Sequence, residues 1–320
     1  VLNIDKLSKF SVNESLDDLK KNKKYNFKKI DLQNFEKLSR AINNFKPDII
    51  YNLAAESHVD RSITNPINFV KSNINSTINL LEAVNKYLQK YPKIKKNFKL
   101  IHVSTDEIYG SLHSKEKKFT EKSKIDPSSP YAASKASTDL IVKAWNKTYN
   151  LPVIITNCSN NFGPWQYPEK LIPVIISKII KKQSIPIYGN GKNIRDWIYV
   201  LDHVDCLYTI LKKGKIGETY NIGTNNELEN IKICKMICLK INKLKKNKFN
   251  NLKLIKFVDD RKGHDLRYAI NNNKIKKTLG FRSKYKFENA LDTTVKWYLD
   301  NRQWWERVLS GSYRLERLGE

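Results

Sequence analysis

Long apolar runs are missing from this sequence of 320 residues. No stretch approaches the roughly 18 uncharged apolar residues that a membrane-spanning helix needs, and the first residues do not resemble a signal peptide. We therefore expect a cytoplasmic protein without a membrane partner. Its length and its 40% content of hydrophobic residues are sufficient for one enzyme subunit, or for a large domain with a smaller one packed beside it.

Cysteine is also scarce, and the chain contains only Cys158, Cys206, Cys234 and Cys238. They are too few and too dispersed for a disulfide scaffold. Cys234 and Cys238 lie on a predicted helix, but no His or second Cys pair is near enough to complete the roughly four ligands of a zinc site. We expect buried thiols and no metal site.

Acidic residues are outnumbered: 32 Asp and Glu stand against 59 Lys and Arg, which gives a net charge of +27. Such a charge is compatible with a nucleic acid, a membrane or an anionic substrate as partner. The Lys residues are scattered, however, in clusters at 20–24, 93–96, 115–118 and 243–248. Together with abundant Asn and Ile, this favours a solvated basic surface and no nucleic-acid partner.

Glycine is scarce as well, and no segment matches the Gly-x-Gly-x-x-Gly turn that binds a dinucleotide. The chain instead opens on a short apolar strand that ends at Asp5. In doubly wound folds, an Asp about 20 residues after those glycines ends the second strand and binds the adenosine ribose. We interpret Asp5 as that residue, which predicts a longer natural polypeptide with roughly 20–30 more N-terminal residues that carry the glycine turn.

Short β-rich runs alternate with helical stretches in the first half of the chain. The buried strands are predicted at 98–106 and 151–159, with a weaker one at 48–55, and the helices at 66–90 and 131–149. This alternation is typical of a parallel sheet with crossover helices. After about residue 160 the pattern loosens, and turns separate predicted helices at 169–182, 202–213, 229–242 and 288–301.

These elements predict an α/β fold: a doubly wound parallel (Rossmann) sheet with a smaller C-terminal α/β substrate lobe. We expect residues 1–160 to form the dinucleotide-binding domain without its first β-α unit. Segments around 196–225 are expected to return to that domain. Residues 161–320 are expected to form mainly the substrate lobe.

Tyr131 and Lys135 are four residues apart on a predicted helix and therefore share a face. An ammonium beside a phenol favours the phenolate and lowers a pKa that is otherwise about 10. The pair would suit the removal of a proton from a hydroxyl group. Because Tyr-x-x-x-Lys is common by chance, the spacing by itself favours an ordinary helix face.

Thr105, Asp106 and Glu107 follow the predicted strand at 98–106 directly, where parallel sheets place their active sites. A hydroxyl can bind a substrate oxygen while two adjacent carboxyl groups divide acid and base duties. The alternative is a simple turn, because Ser, Thr and Asp favour such positions. The Tyr131–Lys135 pair downstream favours the active-site interpretation.

Seven longer motifs then carry a resemblance: LAAESHVDRS (53–62), STDEIYG (104–110), YAASKAS (131–137), NCSNNFGPWQYPEKLIP (157–173), PIYGNGKNIRDWIYV (186–200), YNIGTNNELENI (220–231) and DRKGHDLRYAI (260–270). From residue 1 to about residue 313 the sequence resembles the dTDP-glucose 4,6-dehydratases. These are extended short-chain dehydrogenases/reductases of the NAD-dependent epimerase/dehydratase family. The paired carboxylates favour a 4,6-dehydratase over the related 4-epimerases, which lack them.

The resemblance implies a role for each catalytic candidate. Tyr131, paired with Lys135, deprotonates the sugar 4-hydroxyl while C4 gives a hydride to NAD, and Thr105 holds that oxygen. Glu107 removes the C5 proton, and Asp106 protonates the departing 6-hydroxyl. Return of the hydride to C6 then gives the 4-keto-6-deoxy sugar.

The resemblance also implies two binding sets. The NAD set is Asp5, Lys6, Leu7, Ser8, Asp31, Leu32, Leu53, Ala54, Ala55, Glu56, Ser57, Ser72, Tyr131, Lys135 and Asn161. The dTDP-glucose set is Ser57, Thr105, Asn160, Lys170, Leu171, Pro186, Ile187, Tyr188, Arg195, Asn230, Asp260, Arg261, Lys262, Gly263 and His264. An Asp at the ribose position favours NAD over NADP. Lys262 departs from the family, in which Pro is common at this position.

Other functions remain open at this point. The chain resembles enzymes that act on related sugars: a 4,6-dehydratase for another nucleotide sugar, a UDP-glucuronate decarboxylase or an epimerase. A non-enzymatic remnant, retained as a partner subunit or as a basic nucleic-acid binder, is an alternative from a different class. The resemblance further implies a homodimer joined through the helices at 66–90 and 131–149, and a role in making dTDP-rhamnose for surface polysaccharide.

Overall fold

The computed structural model of the chain describes residues 1–8, 11–245 and 249–312. The strands are β1 (Leu2–Asp5), β2 (Asn26–Lys29), β3 (Ile49–Asn52), β4 (Lys99–Thr105), β5 (Val153–Cys158), β6 (Asn160–Phe162), β7 (Ile185–Tyr188), β8 (Ile194–Tyr199), β9 (Thr219–Ile222), β10 (Glu227–Glu229) and β11 (Ile255–Val258). The helices are α1 (Asp17–Lys20), α2 (Phe35–Phe45), α3 (Val59–Thr64), α4 (Pro66–Phe69), α5 (Ser76–Lys90), α6 (Pro92–Lys95), α7 (Pro130–Tyr149), α8 (Leu171–Ile180), α9 (Val200–Lys213), α10 (Asn230–Leu244), α11 (Asn273–Leu279), α12 (Phe287–Asp300) and α13 (Arg302–Ser312).

The central sheet has four parallel strands in the order β3-β4-β5-β9, and β1 and β2 form a separate parallel pair. Parallel neighbours need long crossover connections, and α5 and α7 lie within those that join β3 to β4 and β4 to β5. Strand β9 comes from much later in the chain and pairs with β5, so that Thr219 lies opposite Ile155. The predicted α/β fold with a parallel sheet is confirmed.

Helices cover both faces of this sheet. Because successive side chains of a strand point to opposite faces, Leu100, Val153 and Ile155 pack against α2, α5 and α7. Ile101 and Ile154 pack against α9 and α11 on the other face. Burial on both faces explains why the central strands are apolar almost throughout.

A second hydrophobic core lies in the later part of the chain. Its buried residues come from α8, α10, α12 and α13 and from strands β7 and β8. Two small sheets flank it, β10-β8-β6 and β11-β7. Cys234 and Cys238 lie in this core, which confirms the prediction of buried thiols. Within the described ranges, no helix has both the length and the apolarity to cross a membrane.

The helix predicted over 66–90 is confirmed, and it contains a π-helical segment. A short helix begins after Asn65, a π-helical turn covers Val70–Asn75, and α5 follows from Ser76. The π segment itself was not predicted, because apolar spacing does not reveal the extra residue of a π turn. The helix predicted at 131–149 is confirmed, and the later helices lie within a few residues of the predicted positions.

Candidate active site

The carboxyl end of β4 carries three adjacent polar side chains. The strand ends at Thr105, and a short 3-10 turn begins with Asp106 and Glu107. The Thr105 hydroxyl accepts a hydrogen bond from the Glu107 backbone N–H at 3.3 Å and thereby caps this turn. The turn places both carboxyl groups at the edge of the parallel sheet where ligands bind.

Burial raises the pKa of both carboxyl groups, but their neighbours differ. After burial, the charges of Glu107 and Asp196 raise the pKa of Asp106 further, to well above its usual range. The pKa of Glu107 is also raised by burial, whereas Arg261 and Arg195 lower it. This difference favours Asp106 as the proton donor and Glu107 as the proton acceptor.

The start of α7 brings a phenol to the same place. The Ser129 hydroxyl caps the helix by accepting a backbone N–H of the first turn at 3.1 Å. Tyr131 follows at once; its side chain is buried and hydrogen-bonded to Thr105. One turn later, Nζ of Lys135 donates to the carbonyl oxygen of Val103 at 2.9 Å.

The pKa of Tyr131 is raised well above its usual value. Burial is the main cause and the charge of Glu107 is the next. Burial sets the direction of this shift, and the lowering expected from Lys135 stays a prediction. The ammonium is itself buried, and burial lowers the pKa of Lys135.

A cleft of about 180 Å³ runs along the carboxyl ends of β1, β2 and β3. Most residues of the predicted cofactor set line it: Asp5, Lys6, Ser8, Asp31, Leu32, Ala54, Ala55, Glu56, Ser57 and Ser72. Sequence reasoning did not assign Arg61, Tyr167 and Glu169, which line the same cleft.

The carboxylates in this cleft fit NAD. Asp5 ends β1, and its Oδ1 accepts the Leu7 backbone N–H at 2.6 Å and the Ser11 hydroxyl at 3.2 Å. Asp31 follows β2 and accepts the Gln33 backbone N–H at 2.9 Å. Carboxylates at strand ends accept hydrogen bonds from ribose hydroxyls and repel the 2′-phosphate of NADP.

The other predicted cofactor residues lie outside the wall of this cleft: Leu7, Leu53, Tyr131, Lys135 and Asn161. The side chain of Leu53 is exposed just beyond β3. Asn161 lies on β6, where its Nδ2 donates to the Ser159 carbonyl at 3.0 Å and its Oδ1 is 2.8 Å from Nδ1 of His203. These contacts fix the orientation of the Asn161 amide.

A larger cleft of about 260 Å³ is lined mainly by residues of the later part of the chain. The predicted substrate residues in its wall are Ser57, Asn160, Lys170, Leu171, Pro186, Ile187, Tyr188, Arg195, Asn230, Arg261 and His264. Glu107 lines it too, and Ser57, Glu169 and Lys170 line both clefts. The structure thus brings one catalytic carboxyl group and most of both predicted binding sets together.

Basic side chains give the larger cleft its charge. The Arg195 guanidinium donates to the carbonyl oxygens of Ile194 at 2.7 Å and Asp265 at 3.0 Å, and it lies 4.1 Å from the ring centre of Tyr268. Arg261 lies 3.5 Å from the Asp60 carboxylate. Together with Lys170, these cations suit a diphosphate, to which charge-assisted hydrogen bonds are strong.

Four polar atoms of residues that line this cleft are buried without a hydrogen-bond partner among the described residues: Asn160 Oδ1, Trp197 Nε1, Asn230 Oδ1 and Arg261 Nε. Such atoms are uncommon in folded proteins, because each one loses the hydrogen bond that it makes in water. A ligand with both donors and acceptors, such as a nucleotide sugar, would satisfy them.

Four predicted substrate residues lie outside this wall: Thr105, Asp260, Lys262 and Gly263. Asp260 Oδ1 is 2.6 Å from Nδ1 of His264, and this hydrogen bond orients the imidazole ring. Gly263 has a φ of +61°, and a Cβ there would lie 2.8 Å from the Ser128 carbonyl oxygen, so the turn needs glycine. Lys262 is exposed beside it.

Sequence reasoning missed three residues of the larger cleft that contribute charge or a hydroxyl: Asp60, Glu169 and Tyr268. Glu169 forms an ion pair with Arg61, and the Tyr268 hydroxyl lies 3.5 Å from Glu107 Oε2. All three occur inside the quoted motifs, a few residues from positions that were assigned. A polar side chain within a motif was the signal that could have identified them.

A doubly wound sheet with a Tyr–Lys helix at its edge defines an extended short-chain dehydrogenase/reductase. The family model described as GDP-mannose 4,6 dehydratase matches residues 1–294, and the chain belongs to this family. It is 48% identical to the dTDP-glucose 4,6-dehydratase of Neisseria meningitidis serogroup B, over 100% of this chain and 91% of that protein. It is 47% identical to the Escherichia coli dTDP-glucose 4,6-dehydratase, over 100% of this chain and 92% of that protein.

Solved structures agree with these sequence comparisons. DesIV, a dTDP-glucose 4,6-dehydratase from Streptomyces venezuelae with NAD and TYD bound, has a TM-score of 0.89 and 36% identity, covering 96% of this chain and 90% of that one. The Bacillus anthracis dTDP-glucose 4,6-dehydratase in complex with NAD has a TM-score of 0.84 and 42% identity, with the same coverage of 96% and 90%.

Proposed function

We propose that this chain dehydrates dTDP-glucose to dTDP-4-keto-6-deoxyglucose with NAD as its cofactor. Its relatives are named for this reaction, and the DesIV structure contains NAD. One geometric observation carries the proposal: α7, which bears Tyr131, packs against the turn that bears Asp106 and Glu107, and Tyr131 is hydrogen-bonded to Thr105.

The first half of the reaction oxidises C4 of the sugar. When bound, NAD supplies the means to accept a hydride from C4 and to return it to C6. Tyr131 takes the proton of the 4-hydroxyl, and Thr105 donates a hydrogen bond to that oxygen. Burial makes the phenolate a strong base, and the Lys135 ammonium stabilises it.

The second half eliminates water across C5 and C6. The 4-ketone acidifies the C5–H bond, and the Glu107 carboxylate removes that proton. The buried Asp106 carboxyl group is protonated, because its pKa is raised, and gives its proton to the departing 6-hydroxyl. The two carboxyl groups distinguish this chemistry from 4-epimerisation, which needs no acid or base at C5 and C6.

The larger cleft holds the nucleotide sugar. Lys170, Arg195 and Arg261 bind the diphosphate, and the unpaired amide oxygens of Asn160 and Asn230 accept hydrogen bonds from the ligand. Residues 1–160 form the NAD-binding domain together with segments around 196–225, and residues 161–320 form mainly the nucleotide-sugar lobe. A cytoplasmic location stays a prediction.

The chain also forms a homodimer. Three large apolar side chains are exposed on neighbouring segments: Ile67 on α4 is 61% exposed, Val70 at the π turn 43%, and Leu140 on α7 54%. Segments α4 and α7 pack together, so these side chains lie on neighbouring elements, and we propose that they form one surface. A second copy of the chain would remove this surface from water.

The test is turnover of dTDP-glucose by purified protein, followed by mass spectrometry. The expected product is lighter than the substrate by one water. UDP-glucose and GDP-mannose are the matched controls and should be converted much more slowly. Faster loss of water from either of them would identify the chain as a different 4,6-dehydratase. An isomer of unchanged mass would indicate an epimerase, and no conversion of any sugar a non-enzymatic protein.

A further inference from the structure

A layer of polar side chains is buried between α7 and the central sheet, beneath the Tyr131–Lys135 pair. Its members are Asn52 on β3, His102 on β4, Asn157 on β5, and Thr138 and Asp139 on α7. The Asp139 side chain is only 1% exposed. A carboxylate in such a place is costly unless donors and cations compensate it.

Hydrogen bonds show that His102 is not the compensating cation. The Thr138 hydroxyl donates to the Lys135 carbonyl at 2.7 Å, so its oxygen accepts from Nε2 of His102 at 3.1 Å. Nδ1 of His102 accepts from the Asn52 amide, also at 3.1 Å. Burial lowers the pKa of His102, and the ring is neutral. Oδ1 of Asp139 lies 3.5 Å from the same Nε2, whose N–H is directed to Thr138.

Lys135 is the buried cation on the same helix. It precedes Asp139 by one helical turn on the same face of α7. Burial lowers the pKa of Lys135, and the charge of Asp139 raises it. The other titratable groups around the pair are His102 on β4, Tyr109 after β4, Cys158 on β5 and Tyr131, with Asp106 and Glu107 beyond Tyr131. The Cys158 thiol is neutral because burial raises its pKa to about 12.

We propose that Asp139 is a positioning residue for the oxidation step: its buried carboxylate holds Lys135 in the ammonium form beside Tyr131. The inference rests on the proposed function, in which Lys135 stabilises the Tyr131 phenolate. The phenol and the amine share one proton during the reaction. Without the charge of Asp139, that proton returns from Lys135 to Tyr131, and the phenol is then unable to deprotonate the sugar.

The test is the pH dependence of kcat for dTDP-glucose in Asp139→Asn, which keeps the shape of the side chain and removes its charge. We expect the alkaline limb, where Lys135 loses its proton, to move to lower pH. On the alkaline side of the limb, kcat at a fixed pH should fall about tenfold for each pH unit of that movement. KM should change little, because Asp139 lies outside both clefts. Asp139→Glu should restore the limb.

Two further variants protect the test against a simple loss of folding. Asp139→Ser also removes the charge and leaves room for water, so it replaces Asp139→Asn if that variant does not fold. Asp202→Asn is the matched control, because Asp202 is an equally buried carboxylate that accepts the Lys284 backbone N–H at 2.7 Å. It should lose stability and keep the wild-type alkaline limb.

A neutral Asp139 variant that folds and keeps the wild-type alkaline limb overturns the proposal, even if its kcat is reduced equally at every pH. The proposal is also overturned if a neutral residue at position 139 gives the wild-type alkaline limb and Asp139→Glu does not. If the wild-type protein itself converts no dTDP-glucose, the proposed function fails instead, and the two failures are distinguishable.

Discussion

Asp106 and Glu107 are adjacent in the chain and both buried, yet the proposed reaction gives them opposite tasks. Their neighbours explain this division. The charged neighbours with the largest effect on the pKa of Asp106 are Glu107 and Asp196, and both favour its protonated form. The charged neighbours with the largest effect on the pKa of Glu107 are Arg261 and Arg195, and both favour its ionised form. An acid and a base therefore arise from two identical functional groups.

Two substitutions separate the halves of the reaction. Tyr131→Phe removes the base for oxidation, so we expect neither NADH nor product. Glu107→Gln permits oxidation but leaves the C5 proton in place, so bound NADH and a 4-keto-glucose nucleotide should accumulate. Product formation should fall by about 10²–10⁴-fold in both variants. Absorbance near ~340 nm and mass spectrometry measure the two species. Wild-type turnover by Glu107→Gln, or NADH in Tyr131→Phe, would contradict these roles.

The raised pKa of Asp106 also affects stability. A carboxyl group whose pKa is raised by folding contributes stability below its unfolded pKa of about 3.9, and this stability is lost as the pH rises through the folded pKa. Asp106→Asn should therefore unfold at a higher temperature than the wild type at neutral pH, with a smaller decline between acidic and neutral pH. Thermal unfolding monitored by circular dichroism measures this. Asp126 is exposed, so the control Asp126→Asn should unfold at the same temperature as the wild type. An unchanged unfolding temperature in Asp106→Asn would contradict the inference.

At the scale of elements, sequence reasoning succeeded where the signal is local. Strand β4 and helix α7 have strong periodic patterns, and the catalytic triplet and the Tyr–Lys pair lie at their ends. The π turn at Val70–Asn75 has no such pattern. Contacts between distant segments were also out of reach, because no local rule pairs Arg61 with Glu169 or Tyr268 with Glu107.

The π turn predicts a specific loss of stability. It turns Asn73 inward, where Oδ1 accepts the Glu56 backbone N–H at 2.8 Å and Nδ2 donates to the Glu56 carbonyl at 3.1 Å and the Ser134 hydroxyl at 2.9 Å. Asn73→Ala leaves these buried groups unpaired and should cost roughly 2–3 kcal/mol in the free energy of unfolding by urea. Asn75→Ala, on the exposed side of the same turn, should cost less than about 0.5 kcal/mol. Equal losses in the two variants would count against this role of Asn73.

At the scale of the whole molecule, separate hydrophobic cores support the two clefts. One core supports the strands whose ends form the smaller cleft, and the other supports the wall of the larger cleft. Ser57, Glu169 and Lys170 line both clefts, so the cofactor and the sugar have a common boundary. This arrangement explains why neither half of the chain is expected to act alone.

Cofactor retention is a property of this joint site. Because the reaction returns the hydride within one turnover, the enzyme has no need to release its cofactor. We expect purified protein to carry nicotinamide nucleotide without any addition, and to convert dTDP-glucose without added NAD. Denaturation followed by chromatography of the supernatant measures the content. A nucleotide-free protein that turns over only with added NAD would show that the cofactor exchanges freely.

The proposed dimer gives a final prediction at this scale. Leu140 is 54% exposed on α7, and Ile67 and Val70 are exposed nearby. Burying such a side chain contributes about 1.5–3 kcal/mol, and a two-fold interface contains each residue twice. Leu140→Asp replaces both copies with charges that would be desolvated on association, so it should dissociate the dimer at micromolar concentration. Leu239→Asp, at a 55% exposed position on α10, is the matched control and should leave the dimer intact. Sedimentation velocity measures the masses. A wild-type monomer, or a Leu140→Asp protein that stays dimeric, would exclude this surface as the interface.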